Sequence, residues 1–123
     1  MTVRGRLEKL REHLRGYRFA FNNELELQQG INLVLLASDF LTIQREVRHG
    51  EHDRYDFVVD GDLIIEVKVN GSRSDMLRQL SRYAEDENVA GILLITTRAA
   101  HRDLPDSFNG KPLCLHYMME NSF

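Results

Sequence analysis

The run from Tyr55 to Val69, Tyr-Asp-Phe-Val-Val-Asp-Gly-Asp-Leu-Ile-Ile-Glu-Val-Lys-Val, constrains the fold of this chain more than any other stretch. Two apolar segments rich in β-branched residues, about Arg54 to Val59 and Asp62 to Val69, meet at Asp60-Gly61. That dipeptide tolerates positive φ and is a strong hairpin signal. An antiparallel hairpin is therefore expected. Along its second strand Glu66 and Lys68 share one face, while Leu63, Ile65, Val67 and Val69 share the other, which must be the core face.

Whether Asp56 joins Glu66 is a question of register, since opposed residues lie on one face of an antiparallel pair. A three-residue loop Val59-Asp60-Gly61 pairs Asp56 with Ile64 and sets it diagonal to Glu66 on the same face. A two-residue loop pairs it with Ile65 and turns it away. Packing favours the first, because it alone puts Phe57 and Val59 on the face of Leu63, Ile65 and Val67.

The rest of the chain supplies helices and further strands around this hairpin. Val3, Leu7, Leu10 and Leu14 recur at helical spacing among charged residues, so an amphipathic helix is expected from Val3 to about Arg15, stopped near Gly16. A second helix is expected from about Asn23 to Ala37. With Leu27 at zero and 100° per residue, Ile31, Val34 and Leu35 form its apolar stripe, and Glu24 falls inside that stripe at about 60°. Glu26 lies on the flank, at about −100°, as an ordinary solvated glutamate does. A carboxylate in Glu24's place costs free energy unless it is paired, hydrogen-bonded or metal-linked.

A strand from about Phe40 to Arg48 should precede the hairpin. A helix from about Arg73 to Glu87 should follow it, opened by the capping box Ser72-Arg73-Ser74-Asp75. Gly91 to Thr97 reads as a buried strand and Leu113 to Met118 as a last one. The expected order is α-α-β-β-β-α-β-β, an α/β fold, in one domain spanning 1–123 with no linker or repeat.

With 123 residues the chain is long enough to bury a core without disulfides or structural metal. Its single cysteine, Cys114, lies in an apolar run and reads as a buried small hydrophobe. No apolar stretch is long enough to span a bilayer, and no membrane partner is expected. The expected setting is soluble, reducing and cytoplasmic. A net charge of −3 does not by itself favour nucleic acid. Locally, Arg4, Arg6, Lys9, Arg11, Arg15 and Arg18 crowd the N-terminus against Glu8 and Glu12.

Two carboxylates and an ammonium on one sheet face suit a hard divalent cation, which prefers oxygen ligands and keeps some of its waters. Such an ion lowers the pKa of water and neutralises charge building on a phosphate. Lys68 is suited to orient or deprotonate the attacking water, or to stabilise developing negative charge. The bland alternative is a solvated Asp, Glu and Lys on a half-exposed sheet face.

Asp56, then Glu66-Val67-Lys68 after a hairpin, preceded by a helical glutamate and followed by a helix, resembles the D…(D/E)xK signature of the PD-(D/E)xK nuclease superfamily. The resemblance covers roughly residues 22–97, including the αβββαβ order of the restriction-endonuclease-like fold. It implies that Asp56 and Glu66 ligate Mg2+ or Mn2+, with the carbonyl of Val67 as a further ligand. Lys68 would act on the attacking water, and Glu24 would bind through the metal's water shell. Arg78-Gln79-Leu80-Ser81-Arg82-Tyr83 is similar to the QxxxY element of several branches. Gln79 and Tyr83 stand one helical turn apart and can face the site together; otherwise Gln79 is a surface residue and Tyr83 core. Tyr55 stands where the superfamily's name has proline.

The activity so implied is a metal-dependent deoxyribonuclease of repair, recombination or defence type, bacterial or phage, leaving 5′ phosphate and 3′ hydroxyl ends. DNA is the expected partner, with RNA a lesser alternative. Ser72, Arg73, Arg78 and Arg82 are the candidate nucleic-acid contacts, because the Asn70-Gly71-Ser72-Arg73 loop leads into a helix N-terminus that can present N–H groups to an anion. A lone copy should grip DNA weakly, so a symmetric homodimer, larger assembly or fusion would cut two strands. Another class of function is a nuclease-like module that binds nucleic acid or protein without turnover. A third is a purely structural domain. His49 and His52 have metal-ligand spacing but lie in a polar loop, and His13, His101 and His116 have no partner visible in sequence.

Overall fold

Leu63–Lys68 runs near the middle of a six-stranded mixed sheet. The computed structural model describes residues 1–38 and 41–118. In chain order the described elements are α1 (Val3–Arg15), α2 (Glu24–Leu36), β1 (Ile43–His49), β2 (Asp53–Val59), β3 (Leu63–Lys68), α3 (Arg73–Tyr83), β4 (Gly91–Thr96), β5 (Ser107–Phe108) and β6 (Lys111–Tyr117). The strands lie in the order β1-β2-β3-β4-β6-β5. The β1–β2, β2–β3 and β5–β6 pairs are antiparallel, and β3–β4 and β4–β6 are parallel. The expected α/β class and element order hold, with a 3-10 turn at Ala99–His101 and the two-residue β5 as additions. Phe40, the expected start of β1, lies outside the described residues.

Each sheet face buries one side of the alternating strands. Phe57, Val59, Leu63, Ile65, Val67, Leu93 and Ile95 pack under Leu7, Leu10 and Leu14 of α1 and Leu27, Ile31 and Leu35 of α2. Tyr55, Val58, Ile64, Ile92 and Leu94 pack under Met76, Leu80 and Tyr83 of α3. Gly91 lets α1 lie close on β4, since a Cβ there would stand 2.7 Å from Val3 Cγ1 and 2.9 Å from Leu7 Cδ1.

The hairpin register departs from expectation by two residues. Phe57, Val58 and Val59 pair with Ile65, Ile64 and Leu63, so the loop is Asp60-Gly61-Asp62. Asp60 adopts positive φ (52°) together with Gly61 (82°), and Asp62 N–H closes on Val59 O at 3.3 Å. Asp60 is also bound to Thr42 through its N–H and its carboxylate, both at 2.8 Å, which leaves Val59 free to stay in the buried strand. A shift of two preserves parity, so the facial prediction survives. One pair further along the same register, Asp56 comes directly across from Glu66.

Helix α3 ends at Tyr83, short of the expected Glu87. Asp86 is withdrawn into a turn, where its carboxylate accepts from Tyr55 Oη at 2.8 Å and from Asn88 N–H at 2.9 Å. Those bonds outcompete another helical turn.

A second irregularity lies in β1. Glu46 has φ of 52° and no partner in an otherwise continuous ladder, in which Arg45 pairs with Phe57 and Val47 with Tyr55. Strict alternation would put Phe57 and Tyr55 on one face, yet Phe57 lies under α1 and α2 while Tyr55 lies under α3. The strand pair turns over at Glu46 and Asp56, with one residue skipped on each strand and the register kept on both sides.

Candidate active site

The site forms where β2 and β3 part. The ladder bonds give out beyond Phe57–Ile65, and the N–H of Val67, which would have faced a backbone carbonyl, donates to Asp56 Oδ2 at 2.8 Å. The turnover at Glu46 thus swings a carboxylate into the gap between the strands. From the far side of that gap Glu24, the first residue of α2, accepts from Val69 N–H at 3.2 Å. Its neighbour Glu26 is engaged in capping: it accepts from Asn22 N–H at 3.0 Å, and its own N–H donates to Asn23 at 2.9 Å. Both glutamates are half-buried, but only Glu24 reaches β3's end, while Glu26, expected to be solvated, is taken up by the cap. Glu24 opens onto a cleft of about 670 Å³ with Asn23, Val69 and Asn70.

Glu66 is 2 % exposed. Its Oε2 accepts from Gln79 Nε2 at 3.0 Å and from Tyr83 Oη at 3.1 Å, with Lys68 Nζ 3.6 Å away. Gln79 also donates to Tyr83 Oη at 2.7 Å, so the two residues one turn apart on α3 act as a unit on one carboxylate oxygen. The ring of Tyr55 meets Tyr83 edge-on, with centroids 4.7 Å apart, and fixes it. The other oxygen, Glu66 Oε1, is buried without a hydrogen-bond partner. An unsatisfied buried oxygen of this kind is costly and calls for a ligand or a proton.

The charges report the same strain. Burial, and then the nearby Asp56 carboxylate, push Glu66 up from about 4.5 to about 8. Burial, with Glu24 adding repulsion, also raises Asp56 despite its bond to Val67 N–H. Burial, then Glu66, drives the Tyr83 hydroxyl well above the usual tyrosine range, so it remains a donor. Lys68 stands beside this acidic group with its side chain 26 % exposed, able to reach solvent and the carboxylate at once.

Among the described residues no three His, Cys, Asp or Glu side chains are gathered into a metal cage. Asp56 and Glu24 are each turned toward a backbone N–H of β3 or the residue after it. The donor set is nonetheless of the right chemistry for a hard divalent cation. Asp56 and Glu66 are near enough for the one carboxylate to push the other up, one oxygen lacks a donor, and such ions fill remaining positions with water.

The four expected phosphate contacts are otherwise occupied. Ser72 Oγ caps α3 by accepting from Asp75 N–H at 3.1 Å, as the capping box requires. Arg73 pairs with Asp103 at 3.0 Å, Arg82 with Asp53 at 3.1 Å, and Arg78 with Asp75. His49 lies 3.2 Å from Asp86 and stacks on Tyr55, away from His52. Cys114 is buried, as expected.

Compared with known proteins, the chain matches no family model, no curated protein and no solved structure. Its reading rests on its own residues.

Sequence reasoning missed one supporting network. His101 is fully buried; its Nε2 bonds Gly71 O at 3.0 Å and its Nδ1 meets Thr96 Oγ1 at 2.8 Å, while Arg98 N–H donates to Thr96 Oγ1 at 3.0 Å. The carbonyl of Gly71 requires an N–H on Nε2, so Nδ1 accepts the Thr96 hydroxyl proton and the ring is neutral. Burial lowers its pKa in the same sense. This chain pins the loop between Lys68 and α3, and Thr97 N–H donates to Lys68 O at 3.2 Å. The one signal in sequence was a pair of threonines closing an apolar strand.

Proposed function

We infer that this chain is a metal-dependent DNA nuclease of the PD-(D/E)xK kind, with a restriction-endonuclease-like arrangement of its α/β core. The observation that carries the reading is the buried oxygen of Glu66 without a donor, across the parted strands from Asp56 and beside Lys68. Asp56 and Glu66 would hold Mg2+ or Mn2+, with the Val67 carbonyl and Glu24 as further donors. The bound ion supplies positive charge against phosphate oxygens and lowers the pKa of nearby water.

The chain's own residues do the rest. Gln79 and Tyr83 hold Glu66 in one orientation by bonding Oε2, which leaves Oε1 for the ion. Lys68 presents N–H donors where negative charge grows on the phosphate or the attacking water. The His101 network keeps the loop after Lys68 in place. In this reading supercoiled plasmid is nicked with Mg2+ or Mn2+ and not in excess chelator, and Lys68→Ala abolishes nicking while the fold is retained. Undiminished cutting by that variant would remove Lys68, and the assignment with it.

One observation favours a second reading, a nuclease-like DNA-binding module without turnover: three carboxylates are not gathered into a cage. Calorimetric titration with manganese separates the two. Binding that disappears in Asp56→Asn supports the enzyme, and absence of binding supports the module.

A further inference from the structure

Seven of the chain's thirteen arginines are held by carboxylates or backbone carbonyls. Arg6, Arg15, Arg73, Arg78 and Arg82 are ion-paired to carboxylates, and Arg4 and Arg11 are spent on backbone carbonyls of the β5–β6 region. Among the rest, Arg18, Arg98 and Arg102 are also exposed without a carboxylate partner among the described residues, but Arg48 and Arg54 are paired across two strands. They are exposed, stand directly opposite each other in the β1–β2 ladder, and have no carboxylate partner among the described residues. Like charges directly opposed across strands are destabilising.

The turnover at Glu46 decides where this pair points. Val47 and Tyr55 face α3, so their neighbours Arg48 and Arg54 take the other face. Arg45 is already there, its guanidinium 5.3 Å from the centroid of the Phe57 ring. Without the irregularity, parity would place Arg45 opposite in sense to the other two. The hairpin's acids go elsewhere: Asp53 pairs with Arg82 of α3, and Glu51 lies in the loop beside His52. Glu46 sits at the break itself. Arg54 is two residues from Asp56, and its carbonyl lies 3.4 Å from Tyr83 Oη, the hydroxyl that holds Glu66.

We propose that this arginine face of the β1–β2 hairpin, Arg45 with the opposed pair Arg48 and Arg54, seats the phosphate backbone of DNA on the α1–α2 side of the sheet, the side from which Glu24 approaches the gap between β2 and β3. The proposal rests on the nuclease reading for its choice of DNA. Phosphates entering between Arg48 and Arg54 convert a like-charge repulsion into two charge-assisted contacts, and a net charge of −3 is no obstacle when the basic groups share one face. Arg73, Arg78 and Arg82 would have to break existing ion pairs to do the same.

The test is fluorescence anisotropy of a short labelled DNA duplex with the full chain, in chelator, over a range of salt. Arg48→Gln with Arg54→Gln should weaken binding about tenfold or more and make the slope of log affinity against log salt shallower by about two, one phosphate per arginine. Arg15→Gln with Arg18→Gln removes the same charge and should change affinity less than threefold. The conservative pair Arg48→Lys with Arg54→Lys should keep most of the salt slope. Equal losses in the two glutamine pairs, or wild-type binding by the Arg48/Arg54 pair, overturns the proposal. Tighter binding of duplex RNA through the same arginines overturns its commitment to DNA. Cleavage by the wild type read alongside separates the two claims. Arginine-dependent binding without cutting leaves the surface standing and sinks the nuclease, whereas cutting with an indifferent Arg48/Arg54 pair sinks the surface alone. A chain that neither binds nor cuts loses both.

Discussion

The two faces of the central sheet are made by the same strands and both bury an apolar cluster, but only one of them also buries a carboxyl group. Toward α1 and α2, β3 turns Leu63, Ile65 and Val67 into a continuous apolar layer. Toward α3 it turns Ile64 and then Glu66, which meets Gln79 and Tyr83 where a hydrophobic contact would have been more stabilising. One face is optimised for burial. The other gives up stability locally to keep a carboxylate with an unsatisfied oxygen in the interior, and this is affordable because the first face carries the fold.

The sharpest way to break that comparison is to change neighbours on opposite faces. Glu66→Gln should reduce nicking by at least about a hundredfold, in the range that loss of a charge-stabilising group produces. Its melting temperature should not fall, because an amide there keeps an acceptor for Tyr83 and Gln79 and stands in for the protonated acid. Ile65→Ala, one residue earlier, should cost about 2–5 kcal/mol of stability and leave the activity of the folded fraction near wild type. Denaturant melts alongside nicking assays check both. Similar behaviour of the two variants would erase the distinction between the faces.

A titration sharpens it next. Glu66 holds its proton in the folded chain up to about pH 8 but releases it near 4.5 when unfolded. Stability of the metal-free protein should therefore fall as pH rises through that interval, by at most about 1.4 kcal/mol per pH unit for one proton. The buried His101 and His116, whose pKa values are lowered by burial, act in the opposite sense below about 6.5, the ordinary histidine value. The slope is thus clearest from about pH 6.5 to 8. It should vanish in Glu66→Gln and flatten when manganese replaces the proton. A flat profile in the metal-free wild type would mean that Glu66 is already ionised.

The smallest effect is expected from Tyr83→Phe. Removing one donor to Glu66 should cost about 1 kcal/mol and move the Glu66 midpoint further upward, because the Tyr83 bond favours the ionised carboxylate. A midpoint that stays in place would assign the orienting role to Gln79 alone.

Much of this was legible in residue order. Alternation in β3 separates Glu66 and Lys68 from Leu63, Ile65 and Val67, helical periodicity aims Glu24 at the core, and a spacing of four puts Gln79 and Tyr83 on one side of α3. These are local regularities set by backbone geometry, which needs no tertiary context. The hairpin's parity was also readable, since only one choice kept Phe57 and Val59 in the apolar layer, but its register was two residues off because Asp60 can take positive φ and serve the turn.

Only the tertiary structure decided the rest. One facing pair out of the ladder, Glu46 and Asp56, reverses which face later side chains take, and no periodicity announces it, because the stabilisation comes from Tyr55 reaching Asp86 and Tyr83 across the sheet. For the same reason Arg73, Arg78 and Arg82 proved ion-paired, while Arg48 and Arg54 were turned together onto the face that α1 and α2 cover. Facing follows from steps of one residue along the chain. Partnership follows from which carboxylates the finished packing leaves within reach.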